Sequence, residues 1–257
     1  MKIKNNQQPS KGFLIVASRT HNFYRMAINC MESIRDYFPD AKICLVIEKR
    51  FCDGREKAAD HIIYCEGHIR EKLWAMTKTP FDVTMYIDAD SEVKHEDITK
   101  AFDELKDHDL VFSELTKERE YCYAIRTWPG GEFTLCGGVV LYDMRNPLVK
   151  QFIHDWNYYY REQAKGRWWP EYNDDGTDNY DIHPSHLRKW DQFTLWWLTK
   201  GTDKYKDLKI GIFEDDARWN WFSLYTERLV KINKPPIIHH LSALANKGNM
   251  GPNPQDV

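Results

Sequence analysis

The chain has 257 residues, of which 42% are hydrophobic and 29% charged, a composition typical of a globular protein with a sizeable core. The net charge is −3, which gives no support to a generally basic nucleic-acid-binding surface. No apolar run approaches the roughly 20 residues that a bilayer-spanning helix needs, so a transmembrane protein is not expected.

The N-terminal residues 1–11 are polar and lack the apolar stretch of a signal peptide. We therefore expect a short disordered lead-in and a cytoplasmic protein, or one of the host cytoplasm if the chain is viral. The cysteines agree with this location, because Cys44 and Cys136 lie in or beside apolar runs. Reduced, buried thiols are expected there instead of disulfides.

The first third of the chain alternates short apolar runs with segments of helical spacing. The apolar runs, read as strands, lie at 12–20, 41–48, 61–66 and 83–90, and the helical segments lie at 25–38 and 68–79. Strands alternating with helices at these lengths predict crossover units and a largely parallel sheet.

The rest of the chain continues this pattern around one long irregular segment. Helices are predicted at 95–108, 146–163 and 190–200, and strands at 109–115, 133–144, 208–213 and the start of 234–248. Residues 164–190 are polar, acidic and aromatic, and are too long for an ordinary connector. We expect them to form a lid or a loop beside the acceptor, within a single domain over 12–248 that is followed by a tail at 249–257.

The pair Asp88 and Asp90 follows an apolar run, with Ala89 between them. On a strand the two carboxylates point to the same side and repel each other unless a cation lies between them. A divalent cation that in turn holds phosphate oxygens is the usual solution. Because ligands of parallel sheets bind at the carboxyl ends of strands, Ser18 and Glu48 are expected to line the same crevice.

Four segments, in order, resemble motifs of a known family. They are MYIDAD at 85–90, CGGVVLYD at 136–143, Trp190-Asp191-Gln192, and His240-Leu241-Ser242-Ala243 with Lys247 beyond. Together, over residues 12–248, they resemble the metal-dependent, nucleotide-sugar-using glycosyltransferases of the GT-A fold, and most closely the glycogenin and lipopolysaccharide galactosyltransferase group. The chain departs from the family pattern where Cys136 or Gly137 replaces an asparagine, where Ala243 replaces a glycine, and at 247–249.

The resemblance implies a single α/β domain, Rossmann-like, with a mostly parallel central sheet flanked by helices. It implies transfer of a sugar from a nucleotide diphosphate, with UDP expected, to a hydroxyl acceptor, with Mn²⁺ or Mg²⁺ as the cofactor. The expected metal ligands are Asp88, Asp90 and His240, with His239 as the alternative histidine.

Roles for further residues follow from the same resemblance. Donor-nucleotide binding is expected from Ala17, Ser18, Thr20, Glu48, Lys72, Asp88, Ala89 and Lys247, with Arg70 as a similar candidate to Lys72. Donor-sugar binding is expected from Gly137, Gly138 and Asp191, catalysis from Asp191 and Gln192, and acceptor binding from Trp168 and Trp169.

Several alternatives stay open at this point. Asp191 is a general base if the enzyme inverts configuration, contacts the donor sugar if it retains configuration, as the resembling family does, or only caps a helix. Glu48 is a base or ribose partner or an ordinary exposed carboxylate, and Lys247 is a phosphate ligand or a solvated lysine.

The acceptor is the least defined part of the prediction. A glycan or lipopolysaccharide is the default, and a hydroxymethylated base of viral DNA is the alternative, since Trp168 and Trp169 can stack on a sugar or on an extruded base. Two other classes of function are considered. A nucleotidyl or phosphoryl transferase would need a glycine-rich phosphate-binding loop after the first strand, which the segment ASRTHN at 17–22 lacks. The other is a non-catalytic carbohydrate-binding scaffold.

Overall fold

A computed structural model describes residues 8–68, 70–114, 135–168, 191–222 and 234–241. The strands are β1 (Lys11–Ala17), β2 (Ile43–Ile47), β3 (His61–Tyr64), β4 (Val83–Asp88), β5 (Ser91–Val93), β6 (Leu110–Glu114), β7 (Leu135–Asp143), β8 (Ile210–Ile212), β9 (Trp221–Phe222) and β10 (Ile238–His240). The α-helices of this part are α1 (His21–Tyr37), α2 (Glu71–Met76), α3 (Pro147–Ala164), α4 (Asp191–Trp196) and α5 (Asp216–Trp219).

Seven strands form the central sheet in the order β3-β2-β1-β4-β7-β6-β8. Strands β1 to β4 pair in parallel, β6 pairs in parallel with β8, and β7 alone runs antiparallel between β4 and β6. The predicted α/β fold with a mostly parallel sheet is confirmed. The continuous apolar runs of β1 and β2 are explained by burial of both faces of these strands.

The two faces of the sheet are covered by different helices. Phe13 and Ile15 point to the side of α1, and Leu14 and Val16 point to the side of α2, α3 and α4, as expected for period-two alternation. On β4 the same alternation places Tyr86 on the α2 side. Each face has its own hydrophobic core, and the polar crevice lies where the strands of both cores end.

Three helices differ from their predicted form. The helix predicted over 190–200 is an α-helix over Asp191–Trp196 and continues as a π turn over Trp197–Gly201. Helix α2 begins only at Glu71, because Gly67 and Arg70 adopt positive φ angles of 90° and 85° and interrupt the helix predicted over 68–79. The helix predicted over 95–108 forms 3₁₀ turns over Glu96–Leu105 instead.

A second, smaller sheet holds the last described strand beside the aspartate pair. Its order is β5-β10-β9, and His240 of β10 pairs with Ser91 of β5 and with Phe222 of β9. Arg218 fixes the start of this segment, since its Nε donates to the Pro235 carbonyl at 2.8 Å and its Nη2 lies 2.8 Å from Asp97. Long-range pairing therefore brings the C-terminal histidine to β4.

Several predicted features lie outside the described residues: most of the lead-in at 1–11, the greater part of the loop at 164–190, and the tail at 249–257. The boundaries of the single domain stay a prediction. Within the described parts of the chain, none of the helices has both the length and the apolar character needed to cross a membrane.

Candidate functional site

Three side chains that could hold a metal ion meet at the end of β4. One ligand atom from each of Asp88, Asp90 and His240 lies within 4.8 Å of the others, and His240 Nε2 is 3.2 Å from Asp90 Oδ1. His239, the alternative histidine, is not a member of this group among the described residues. Two carboxylate oxygens and one imidazole nitrogen suit Mn²⁺ or Mg²⁺, so the donor set fits the predicted cofactor.

The orientation of His240 is set by Asn220. His240 Nδ1 lies 3.0 Å from Asn220 Oδ1, which can only accept, so Nδ1 carries a proton and Nε2 is the ring nitrogen that faces Asp90. Asn220 is itself buried, and its Nδ2 donates to Ser113 Oγ at 3.1 Å and to Cys136 Sγ at 3.4 Å. This arrangement is typical of a metal-binding histidine held by a neighbouring group.

The charge around His240 favours binding of a cation. Burial lowers the pKa of His240, but the Asp90 and Asp88 carboxylates more than compensate and raise that pKa overall. In the absence of a cation the histidine therefore gains a proton more readily, because two negative charges lie beside it. A divalent ion in this position would replace that proton.

Lys72 connects the aspartate pair to Asp191. Its Nζ lies 3.5 Å from Asp88 Oδ1 and 3.1 Å from Asp191 Oδ2, and it donates to the Gly137 carbonyl at 2.9 Å. Tyr86, also on β4, donates its hydroxyl to Asp88. The candidate metal ligand Asp88 and the predicted catalytic carboxylate Asp191 are thus adjacent to the same, largely buried ammonium group.

Asp191 is buried between two cations. It is 3% exposed, and Arg70 Nε lies 3.2 Å from its Oδ1. Burial raises the pKa of Asp191, but Lys72 and Arg70 outweigh that effect and lower it overall. Trp156 donates its indole N–H to the Asp191 carbonyl at 2.9 Å, which holds the start of α4 against α3. The Asp191 side chain is thus part of a buried ion-pair cluster with Arg70 and Lys72. The next residue, Gln192, is half-buried.

Gly137 and Gly138 lie in a bulge of β7. Phe112 of β6 pairs with Val140, whereas the next residue, Ser113, pairs with Cys136, so the glycines are displaced from regular pairing. A Cβ atom on Gly138 would lie 3.2 Å from Asp88 Oδ2 and 3.3 Å from His240 Cε1. The backbone at Gly138 therefore approaches the candidate metal ligands closely, as a glycine inside a strand allows.

The burial of Glu48 excludes one of its two predicted roles. It is 4% exposed, accepts a hydrogen bond from the Arg19 amide, and forms an ion pair with Arg50 at 2.7 Å. The interpretation as an ordinary exposed carboxylate is wrong, because the loops after β1 and β3 close over it. A Cβ atom on Gly67 would lie only 2.3 Å from Glu48 Oε1.

A cleft of about 140 Å³ opens at the carboxyl end of β1. Ser18, Arg19, Arg70, Lys72 and Tyr86 contribute to its lining. Arg19 and Arg70 adopt positive φ angles of 76° and 85°, a conformation that costs free energy in non-glycine residues and that clusters at functional sites. The cleft therefore combines strained backbone with cationic side chains, and two of its lining residues, Lys72 and Tyr86, contact Asp88.

The remaining predicted residues are less tightly connected to this centre. Thr20 caps α1 by accepting from the Phe23 amide, and Ala17 and Ala89 are buried. Trp168 packs against Tyr159 and Trp197, with ring centroids 4.9 Å apart in each pair. Trp169 and Lys247 lie outside the described residues.

Two contributors were not identified from the sequence. Asn220 is flanked by tryptophans in a segment that reads only as aromatic, and Tyr86 reads as a core residue of β4. The one available signal for Asn220 is an isolated amide in an apolar setting, which needs a buried partner.

No protein-family model matches the chain, and no curated protein matches it in sequence. Among solved structures, the galactosyltransferase LgtC, in complex with donor and acceptor sugar analogs, aligns with a TM-score of 0.54 at 14% identity. The alignment covers 89% of this chain and 86% of LgtC.

Two further glycosyltransferases align over most of the chain. GlyE of Streptococcus pneumoniae TIGR4 has a TM-score of 0.53 at 16% identity, over 90% of this chain and 54% of GlyE. The bifunctional enzyme WbbM has a TM-score of 0.51 at 10% identity, over 93% of this chain and 47% of WbbM. At these identities the likeness is one of fold, and the chain has the GT-A glycosyltransferase fold.

Proposed function

We propose that this protein is a metal-dependent glycosyltransferase that moves a sugar from a nucleotide diphosphate, UDP in the first instance, to a hydroxyl acceptor. The observation that carries the proposal is the convergence of Asp88, Asp90 and His240 with Lys72 and Asp191 at one end of a GT-A sheet. A scaffold protein would have no need to gather these charges in one partly buried site.

In the proposed reaction the bond from the anomeric carbon to the diphosphate breaks and a bond from that carbon to the acceptor oxygen forms. The hydroxyl proton leaves with the nucleoside diphosphate. A divalent cation held by Asp88, Asp90 and His240 would supply charge neutralisation for the departing diphosphate. Lys72 and Arg70, which lie on the same side of the sheet, would bind and orient the phosphate oxygens.

The environment of Asp191 supports retention of configuration. A general base works best when its pKa lies near the operating pH. The pKa of Asp191 is lowered by Lys72 and Arg70 despite burial, so its carboxylate is a weak base at neutral pH. We assign Asp191 to orienting the donor sugar, with Gln192 beside the reacting face. LgtC has an active-site glutamine of its own, which was replaced by glutamate in one of its structures.

The nucleotide is proposed to bind across the carboxyl ends of β1 and β2. Ser18, Arg19 and Ala17 would contact it from the loop after β1, and the buried Glu48 would hold that loop in place. Gly137 and Gly138 would face the donor sugar, because their bulge contacts the metal ligands and Asp191. Lys247, Trp168 and Trp169 keep their proposed roles at the diphosphate and the acceptor.

A glycan is the proposed acceptor, because the glycosyltransferases LgtC, GlyE and WbbM share this fold and LgtC was crystallised with an acceptor sugar analog. The experiment is a thermal-shift screen of UDP-, GDP- and dTDP-sugars with Mn²⁺. A ligand present at 100 times its Kd stabilises the folded state by about 2.7 kcal/mol, so one nucleotide series should raise Tm by several degrees. A Tm that responds to none of these donors, with or without Mn²⁺, would contradict the proposal.

A further inference from the structure

A second cavity of about 500 Å³ lies at the carboxyl end of β3. We name it the β3 pocket, and it is lined by Tyr64, Glu66, His68, Glu71, Trp74 and Arg161 together with Cys65 and Gly67. Its volume is within the range of small-molecule binding sites. Asp88, Asp90, His240 and Asp191 are not among the residues that line this pocket.

The β3 pocket adjoins the reaction crevice. His68 and Glu71 line both this pocket and the cleft that contains Lys72. Arg70, which lines the cleft, contacts Asp191. Arg161, which lines the β3 pocket, belongs to α3, the helix whose Trp156 donates to the Asp191 carbonyl. A ligand in the pocket would therefore lie beside the donor site and separate from the metal ligands.

The charges of the pocket nearly cancel. Glu71 is 4% exposed, and its Oε1 pairs with Arg161 Nη2 at 3.4 Å while its Oε2 accepts from the His68 amide. Burial and the nearby Arg161 lower the pKa of His68, so its ring is neutral near pH 7. Glu66 alone adds a charge without an opposing partner in the lining. Such a wall favours an uncharged polar ligand over a diphosphate or a polycation.

The polar atoms of the pocket are arranged for hydroxyl groups. His68 lines the pocket, and its buried Nδ1 has no hydrogen-bond partner among the described residues. Arg161 and Glu66 offer donors and acceptors at the wall. Tyr64, half exposed, and Trp74 supply aromatic surface for the C–H face of a ring. Lys78 lies over one face of Trp74 at 5.9 Å, which adds a donor near that wall.

We propose that the β3 pocket binds a neutral sugar unit of the acceptor. The inference rests on the proposed glycosyl transfer for the role of that sugar. For its location, the inference rests on the cavity, on the polar and aromatic side chains that line it, and on the paired charges of Glu71 and Arg161. A nucleobase is the competing occupant, because it is also flat and uncharged. The test therefore includes both.

The experiment is ligand-observed saturation-transfer NMR on the full chain. The probes are the methyl glycosides of glucose, galactose, xylose and N-acetylglucosamine, and separately uridine, each with Mn²⁺ and UDP absent. We expect at least one glycoside to bind, and we expect its Kd to rise about tenfold in Tyr64→Leu and in Arg161→Met, the effect of losing about 1.4 kcal/mol.

The matched control is Tyr158→Leu, because Tyr158 is an exposed tyrosine on α3 that is not part of the pocket lining. Its glycoside Kd should equal that of the wild type. Arg161→Met removes the cation that pairs with Glu71 and could destabilise the fold. In that case Tyr64→Leu alone still tests the pocket, because Tyr64 is half exposed. The inference would be overturned if both pocket variants bound the glycoside as tightly as the wild type, if no glycoside bound at all, or if uridine bound and the same variants weakened its binding.

The result is separable from the proposed function. Donor hydrolysis by the wild type with Mn²⁺ is measured in parallel and does not depend on the pocket. A protein that hydrolyses no nucleotide sugar but binds glycosides in a Tyr64-dependent manner would contradict the transferase and leave the pocket supported. If the wild type hydrolyses a nucleotide sugar but both variants bind glycosides as the wild type does, the transferase would be supported and the pocket assignment contradicted.

Discussion

Asn220 contacts no proposed substrate, yet it determines which nitrogen of His240 faces the aspartates. Its Oδ1 accepts from Nδ1, and its Nδ2 is held by Ser113 and Cys136. A partner of this kind fixes the tautomer and the ring orientation of a metal ligand. We therefore regard Asn220 as a positioning residue for the metal.

Replacing Asn220 with leucine should weaken Mn²⁺ binding about 10- to 100-fold, the usual loss for such partners of metal ligands. Asn220→Asp keeps an acceptor for Nδ1 and should bind Mn²⁺ more tightly than Asn220→Leu. Electron paramagnetic resonance titration measures the free metal directly. Ser113→Ala, which removes a partner of Asn220 without touching His240, is the control. Equal Mn²⁺ affinity in Asn220→Leu and the wild type would contradict the role.

The interaction of Lys72 with Asp191 should be visible in stability as well as in activity. Lys72→Met leaves Asp191 buried with Arg70 as its remaining cation and should cost about 3 kcal/mol, since breaking a buried pair strands a charge. Adding Asp191→Asn removes that charge, so the double variant should recover part of the loss. Urea unfolding of the single and double variants measures both values. Strictly additive destabilisation would show that the two groups do not interact.

At the scale of elements, β10 reaches the aspartate pair because Arg218 holds the chain before it. The Arg218 guanidinium is buried and bridges Asp97 of the 3₁₀ segment Glu96–Leu105 and the Pro235 carbonyl. The Arg218 carbonyl also accepts from the Ile237 amide at 2.7 Å. These contacts join three segments that are distant in sequence, and the position of His240 depends on them.

The Asp97 contact predicts a pH dependence of stability. Hydrogen bonds from Lys100 and Arg218 lower the pKa of Asp97 from 3.8 to about 2. A carboxyl with a lowered pKa stabilises the fold above its ordinary pKa, and the contribution is lost as the pH falls towards the folded value. The wild type should therefore exceed Asp97→Asn in free energy of unfolding at pH 5, and the difference should shrink by pH 3.

Urea unfolding at the two pH values tests this expectation. Asp36→Asn, an exposed carboxylate on α1, serves as the control. A gap between the wild type and Asp97→Asn that is the same at pH 5 and pH 3 would contradict the assigned cause.

At the scale of the whole molecule, local sequence patterns were sufficient to predict the parallel half of the sheet. Strands β1, β2 and β4 are buried on both faces, so each reads as one apolar run, and the aspartates that end β4 follow directly. The motifs near His240 and Asp191 were predicted through family resemblance, and the structure places both beside β4.

What the sequence did not reveal depends on long-range pairing or on unusual backbone. The antiparallel insertion of β7 between β4 and β6, and the contact of Asn220 with His240, arise from tertiary packing that has no local pattern. The late start of α2 results from the left-handed Arg70, which helical spacing cannot predict. The burial of Glu48 results from loops that close over it.

The central claim is that Asp88, Asp90 and His240 bind a divalent cation needed to break the bond between sugar and diphosphate. The most direct test measures release of nucleoside diphosphate from the donor identified by thermal shift, with Mn²⁺, with excess chelator, and in Asp90→Asn beside Asp36→Asn. We predict that chelator and Asp90→Asn each reduce the rate at least about 100-fold, equivalent to about 2.7 kcal/mol of transition-state stabilisation, while Asp36→Asn retains it. A full rate in excess chelator or in folded Asp90→Asn would contradict the account.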